Sequence, residues 1–293
     1  MATSAAQQNS RYFVPAPSGW PFALTVGLVM VIYGVAGWLE ERKVPTEVLV
    51  IGGVAWGLYI IFRWIRDVVL ESEGGSYNAQ VDRTYRWGMS WFIFSEVMFF
   101  GAFFGALFYT RELSVPWLGG LGSKVATNVT LWPGFEAGWP SNGPDAMGGK
   151  FGTVPAFDVP LLNTLILLSS GVTITMAHHA LKEGKRKLTV LWMCATVALG
   201  ASFLWFQAHE YIHSYLDLNL TLRSGVYGST FYMLTGFHGL HVTLGTIMLT
   251  IITLRLIAGH FKPDSHFGFE GVAWYWHFVD VVWLCLFVVV YWL

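Results

Sequence analysis

Long apolar stretches alternate with short polar joints along this chain. An α-helix rises 1.5 Å per residue, so about 20 apolar residues are needed to cross the roughly 30 Å hydrocarbon core of a bilayer. Stretches of that kind run over Trp20–Leu39, Thr46–Ile65, Trp87–Tyr109, Val159–Leu181, Leu188–Ala208, Val226–Ile257 and Val272–Leu293. They predict an all-α, polytopic membrane protein of seven transmembrane helices. The sixth is long enough to tilt or to project from the bilayer. One joint is long, about Arg111 to Asp158. It is rich in Gly and Pro (Trp132-Pro133-Gly134, Gly138-Trp139-Pro140), has no helical or strand period, and is expected to be mostly irregular. No repeat or low-complexity tract divides the chain. It reads as one membrane domain over 1–293, with helices 1–2 at about 20–71, helices 3–7 at about 83–293 and the loop at about 111–158.

Composition agrees with a lipid-facing surface. Hydrophobic residues make up 54% of the chain and charged residues only 12%, against about 25% charged in soluble domains. Aromatics reach 17%, with 15 Trp, which suits anchoring at two membrane interfaces. A net charge of -1 argues against nucleic acid as a partner. Cys194 and Cys285 are far apart within apolar runs, form no metal pattern, and read as small buried apolar residues. The stretch Met1–Pro17 is polar and lacks the features of a signal peptide, so the first apolar helix is expected to act as the insertion signal. With the N-terminus inside, eleven of the 17 Lys and Arg fall in inside segments (Arg11, Arg63, Arg66, Arg83, Arg86, Lys182, Lys185, Arg186, Lys187, Arg255, Lys262). The remaining six (Arg42, Lys43, Arg111, Lys124, Lys150, Arg223) fall outside. That balance predicts N-inside, C-outside.

Ionisable residues at membrane depth are the informative ones. Glu96, Asp280, His238 and His241 all fall well inside apolar spans. A charged group there costs about 2.5 kcal/mol or more at a helix centre, so each must pair, hydrogen-bond or become neutral. Two readings stand: a proton relay or transport site, or a polar cluster locking helices three, six and seven. His238 and His241 are spaced i, i+3 on one face. They could ligate a metal with help from His277 or Glu96; alternatively, Gly236 and Gly239 permit close packing with the histidines satisfied across the interface. His178 and His179, about 100° apart on a helix, read as interfacial. His209, Glu210 and His213 read as a solvated helix end. Arg63, Arg66, Asp67, Glu71 and Arg255 suit either lipid phosphates or ordinary positive-inside topology. No Walker loop, GxSxG, HExxH or dinucleotide fingerprint occurs, so nothing indicates an autonomous enzyme.

Several longer strings resemble subunit III of cytochrome c oxidase, in the haem–copper oxidase superfamily. They are Phe94-Ser-Glu-Val-Met-Phe-Phe100, Pro160-Leu-Leu-Asn-Thr164, Ala177-His-His-Ala180, Gly225-Val-Tyr-Gly-Ser-Thr-Phe231, Thr235-Gly-Phe-His-Gly-Leu-His-Val242, His266-Phe-Gly-Phe-Glu270 and Ala273-Trp-Tyr-Trp-His-Phe-Val-Asp-Val-Val-Trp283. The resemblance implies a two-helix part and a five-helix part with a lipid-holding cleft. It also implies a non-catalytic accessory subunit of a complex that passes electrons from cytochrome c to oxygen and pumps protons. Haem and copper would then sit in partner subunits I and II. This chain would carry no catalytic residue, no metal and no cofactor beyond bound phospholipid, and His238, His241 and His277 would be structural. Glu96 matches the family's carbodiimide-reactive glutamate. Arg66, Glu71 and Arg255 match lipid-lining positions, and Trp64 matches the first of an aromatic pair whose second position is Ile65 here. The resemblance implies support of proton uptake and protection of subunit I. The long loop suggests a bacterial member, hence a multi-pass protein of the inner membrane with a cytoplasmic N-terminus and a periplasmic C-terminus. Two further readings compete. A stand-alone proton-coupled transporter would call for inverted repeats or broken helices, and the subunit III of a quinol oxidase generally has five spans.

Overall fold

A computed structural model of the chain describes residues 13–14, 17–40 and 45–293. The polar segment before Phe13, Arg11, Arg42 and Lys43 lie outside the described residues. Seven helices are long and apolar enough to cross a membrane. They are α1 (Trp20–Leu39), α2 (Thr46–Glu73), α3 (Ala79–Tyr109), α4 (Val159–Lys182), α5 (Arg186–Leu216), α6 (Gly225–Ala258) and α7 (Phe267–Leu286, extended by a π turn over Phe287–Trp292). Among the described residues the β pairing is a single bridge, Lys262 with Ser265, in the α6–α7 turn.

Several helices outrun their apolar stretches, and the reason is local. Hydropathy marks the part that fits in hydrocarbon, whereas backbone hydrogen bonding continues until a residue stops it. α2 runs beyond Ile65 to Glu73 and ends at Gly74-Gly75, where Gly75 has φ +74°. α6 ends at Gly259 (φ +88°), whose N–H donates to the Arg255 and Leu256 carbonyls. The expectation of irregular chain from Arg111 onward is also corrected. α3 passes through a π turn (Thr110–Ser114) into Val115–Leu118, and a further helix covers Val125–Leu131. Asparagine side chains stand in for missing backbone partners in the rest of the loop: Asn128 Nδ2 donates to Leu118 O at 2.9 Å, and Asn219 Nδ2 to Gly148 O and Lys150 O at 3.0 Å each.

The chain divides into two compact units, Met1–Tyr85 and Arg86–Leu293. Within the first, α1 and α2 approach at glycines. A Cβ on Gly53 would stand 2.8 Å from Gly27 O, so only hydrogen fits. Trp56 Nε1 donates to Ala23 O at 2.7 Å and Trp20 Nε1 to Asp67 at 2.9 Å, each joining the two helices.

Within the second unit, α7 is the central element and two fully buried tryptophans fix it. Trp276 Nε1 donates to Ser170 Oγ and Trp283 Nε1 to Thr164 Oγ1, both at 2.9 Å and both on α4. The Trp276 ring needs space on the other side, and two glycines provide it. A Cβ at Gly200 on α5 would lie 2.9 Å from the ring, and one at Gly245 on α6 would lie 2.8 Å from it. Cross-helix hydroxyl contacts extend the pattern: Thr173 to Thr196 at 2.8 Å between α4 and α5, and Tyr211 to Thr235 at 2.7 Å between α5 and α6. At one end of the unit, Gly152 N donates to Leu218 O and Tyr227 N to Ser141 O, seating the long loop on the α5–α6 turn.

Cys194 and Cys285 are free and exposed, not buried as the sequence suggested. They occupy outward helix faces, where hydrocarbon rather than a protein core accommodates a small apolar side chain. Gly245→Leu should lower the thermal midpoint for release of this chain from its assembly, because overpacking a filled site costs about 1–3 kcal/mol. Gly239→Leu, at a helical glycine with no atom within 4 Å of a Cβ, should leave it unchanged; thermal release followed by gel electrophoresis checks both.

Candidate functional site

The ionisable side chains singled out at membrane depth do not gather at one point. They form three separate contacts, each joining a different pair of helices or facing a different neighbour.

The first joins α3 to α6. Glu96 Oε2 lies 2.9 Å from His241 Nε2, and His241 Nδ1 lies 2.6 Å from Phe237 O, one turn earlier on α6. A carbonyl only accepts, so Nδ1 carries a proton and donates it. The Glu96–His241 bond then needs a second proton between its partners. Either the carboxylic acid donates to a neutral imidazole or an imidazolium donates to a carboxylate. In both cases the pair has zero net charge, which is the state that low dielectric favours. The rings of Phe99, Phe100 and Tyr275 lie 5.9, 5.0 and 6.3 Å from His241, and Tyr275 donates its hydroxyl to His241 O at 3.3 Å.

The second contact joins α6 to α7. Buried His238 donates from Nε2 to Val279 O at 3.3 Å and packs on Trp283 and Phe203 at 5.1 and 5.7 Å. The third lies on α7 toward α4. Asp280, 6% exposed, has Oδ2 at 3.7 Å from His277 Nδ1, and His277 Nε2 is 3.3 Å from Thr175 Oγ1 on α4. A Cβ on Gly171 would stand 2.5 Å from Asp280 Oδ2, so the glycine is what lets the carboxylate lie against α4. Asp280 therefore addresses helix four, not a joint cluster of helices three, six and seven.

The residues expected to meet lipid lie in both units. In the first, Trp64 is half-buried, Arg66 is exposed, and Glu71 accepts from Tyr77 OH at 2.9 Å. Tyr77 in turn accepts from Tyr85 at 3.0 Å. Burial, reinforced by those hydrogen bonds, pushes the Tyr77 phenol up, so it remains an O–H donor to Glu71. In the second unit, Arg255 is half-buried with its guanidinium 4.7 Å above the Phe261 ring.

Other polar groups depart from the sequence reading. Glu210 is 2% exposed, not part of a solvated helix end: its Oε1 accepts from Tyr291 OH at 2.7 Å and Gln207 Nε2 at 3.1 Å. The signal was present as spacing, because Phe203, Gln207, Glu210 and Ser214 continue one inward stripe of α5. His209 and His213 do stay exposed, the latter 2.6 Å from Asp217. Half-buried His178 meets His266 at 3.3 Å, while His179 is exposed. Arg86 donates to Glu270 from Nη2 at 2.7 Å and Nε at 3.2 Å, an α3–α7 ion pair that hydropathy does not reveal.

The fold and these contacts define a polytopic helical membrane protein whose polar residues hold helices together. Among the described residues no group of three or more His, Cys, Asp or Glu is placed to hold a metal ion. The family model described as cytochrome c oxidase subunit III matches residues 10–293. "Cytochrome c oxidase subunit 3" of Latimeria chalumnae and that of Danio rerio are each 40% identical to this chain over 288 residues, covering 98% of this chain and 98% of the relative. The protein of the same name from Hippopotamus amphibius is 40% identical over 286 residues, covering 97% of this chain and 98% of its own length. The chain thus belongs to the cytochrome c oxidase subunit III family. It is an accessory subunit of the oxygen-reducing respiratory oxidase complex, as the resemblance in the sequence implied.

Glu96→Leu should destabilise the chain by about 1–3 kcal/mol by leaving His241 Nε2 without a partner. Glu96→Gln, whose amide can donate to that nitrogen, should be close to neutral; the two thermal midpoints compared in one detergent give the answer.

Proposed function

We propose that this subunit supports proton uptake by subunit I, protects that subunit during turnover, and carries no electron or pumped proton itself. The haem and copper lie in subunits I and II, and cytochrome c supplies electrons to the complex. The observation that carries the reading is the Glu96–His241 pair. It is neutral as a unit, both imidazole nitrogens are engaged, and aromatic rings surround it. Such a pair ties α3 to α6 and is a poor stepping stone for protons that must travel onward.

Phospholipid binding belongs to the same reading. Exposed Arg66 and half-buried Arg255 are suited to phosphate oxygens, half-buried Trp64 lies on the same helix as the first, and Glu71 is fixed by Tyr77. The balance of Lys and Arg between joints supports an N-inside, C-outside topology, which in a bacterial inner membrane means a cytoplasmic N-terminus and a periplasmic C-terminus. The relatives named above are vertebrate proteins, so the bacterial assignment rests on the long loop alone.

Glu96→Gln in the intact oxidase, reconstituted in vesicles, should leave the number of protons pumped per electron unchanged. Loss of pumping in an enzyme with full haem content would instead make this carboxyl a relay. Arg66→Ala should reduce the phospholipid that co-purifies with the complex, read by mass spectrometry of extracted lipid, without altering haem content.

A further inference from the structure

A cleft of about 400 Å³ opens where the π turn after α3 meets the long loop and the start of α6. That volume suits a small-molecule ligand. All of its walls belong to the second unit. Val115 and Leu118, from the short helix after the π turn, and Leu222 and Val226, at the entry to α6, give it an apolar wall. Among the lining residues Arg223 alone is charged. It is exposed, and among the described residues no acidic side chain pairs with it.

The polar residues of the lining have already spent their protons. Thr110 Oγ1 donates to Ala106 O at 2.9 Å and Ser229 Oγ to Gly225 O at 2.8 Å. Asn142 Nδ2 donates to Met147 O at 3.1 Å and to Gly149 O at 2.9 Å. What these groups have left to offer is acceptor oxygen. A ligand that satisfies the whole cleft therefore brings an anion for Arg223, hydrogen-bond donors for the oxygens and an apolar chain for the wall. Inorganic phosphate would leave the wall unmatched, and a bare hydrocarbon tail would leave the guanidinium without an anion.

The level of the cleft agrees. The balance of Lys and Arg puts the start of α6 on the outside. From Gly225 to Arg255 is about 45 Å of helix at 1.5 Å per residue, more than the roughly 30 Å of hydrocarbon. Arg223 thus faces the leaflet opposite to Arg255, and a large part of its surroundings comes from the long loop and the π turn.

We propose that this cleft binds a phospholipid of the outer leaflet whose headgroup carries hydrogen-bond donors beyond its phosphate. The inference needs only that the chain spans a membrane, and it is independent of the roles given above to Glu96 and Arg66. Intact oxidase in nanodiscs of equal parts dioleoyl phosphatidylglycerol and dioleoyl phosphatidylcholine tests it, with retained lipid read by native mass spectrometry. The unaltered enzyme should keep a phosphatidylglycerol that Arg223→Ala loses and Arg223→Lys keeps. Leu222→Asp, which sets a carboxylate in the wall next to the guanidinium, should lose it too, while Arg66→Ala should leave it in place. An unchanged lipid count in either Arg223→Ala or Leu222→Asp would overturn the site. Retention of phosphatidylcholine as readily as phosphatidylglycerol would overturn the headgroup assignment. A parallel titration with oleate separates a phospholipid from a free fatty acid: displacement of the retained phosphatidylglycerol by an equal concentration of oleate would overturn the choice of phospholipid, and its persistence is the expected result.

Discussion

The arrangement of the second unit depends on how one indole is held. Within a bilayer, apolar surface gains nothing by leaving lipid for protein, so helices associate through close packing and hydrogen bonds between them. Trp276 uses both. Its ring nitrogen is bonded to Ser170 on α4, and its ring faces fit where Gly200 of α5 and Gly245 of α6 offer no side chain. One residue of α7 thereby sets its distance from three other helices. Trp283 repeats the arrangement about two turns on, with Thr164 as its acceptor and Phe203 4.7 Å from its ring. Once α7 is positioned this way, Asp280 necessarily lies against Gly171, and His277 necessarily looks outward beside Thr175.

Pairing of the remaining polar groups follows from the same solvent. Glu96 finds His241, Arg86 finds Glu270, and Glu210 finds Gln207 and Tyr291. Each contact joins side chains far apart in the sequence or on neighbouring turns of one helix, and together they take the place of the charged surface that a soluble protein of this length would carry. The family's place in an oxidase complex fits this economy: a subunit built to present a fitted surface to others has little need for reactive groups of its own.

How far the sequence reveals this depends on the type of contact. Span number and approximate position follow directly from apolar length, because the hydrocarbon core sets a fixed distance. Helix ends do not, since α2 continues to Glu73 and α3 starts at Ala79 through polar residues that no hydropathy window rewards. The importance of Glu96 and Asp280 is legible because a carboxyl amid apolar residues is conspicuous. Their partners are not, since Glu96 pairs across 145 positions and the choice among several histidines is made by helix rotation and tilt. Glu210 was hidden by its closeness to a helix end, although its place on the inward stripe with Phe203 and Gln207 was there to be read. The two cysteines mislead for the opposite reason: inside a membrane protein, an apolar neighbourhood in sequence does not distinguish lipid from core.

The geometry of the Glu96–His241 pair also bears on how it responds to an electric field. A membrane potential does about 2.3 kcal/mol of work on a unit charge carried across the whole bilayer for each 100 mV. Here the shared proton can shift only about 1 Å between two atoms that stand 2.9 Å apart. Even fully aligned with the field, a displacement of about one thirtieth of the thickness would change the balance by under about 0.1 kcal/mol per 100 mV. An energised membrane therefore leaves this pair electrically silent, and its grip on α3 and α6 is the same whether the respiratory chain is idle or working.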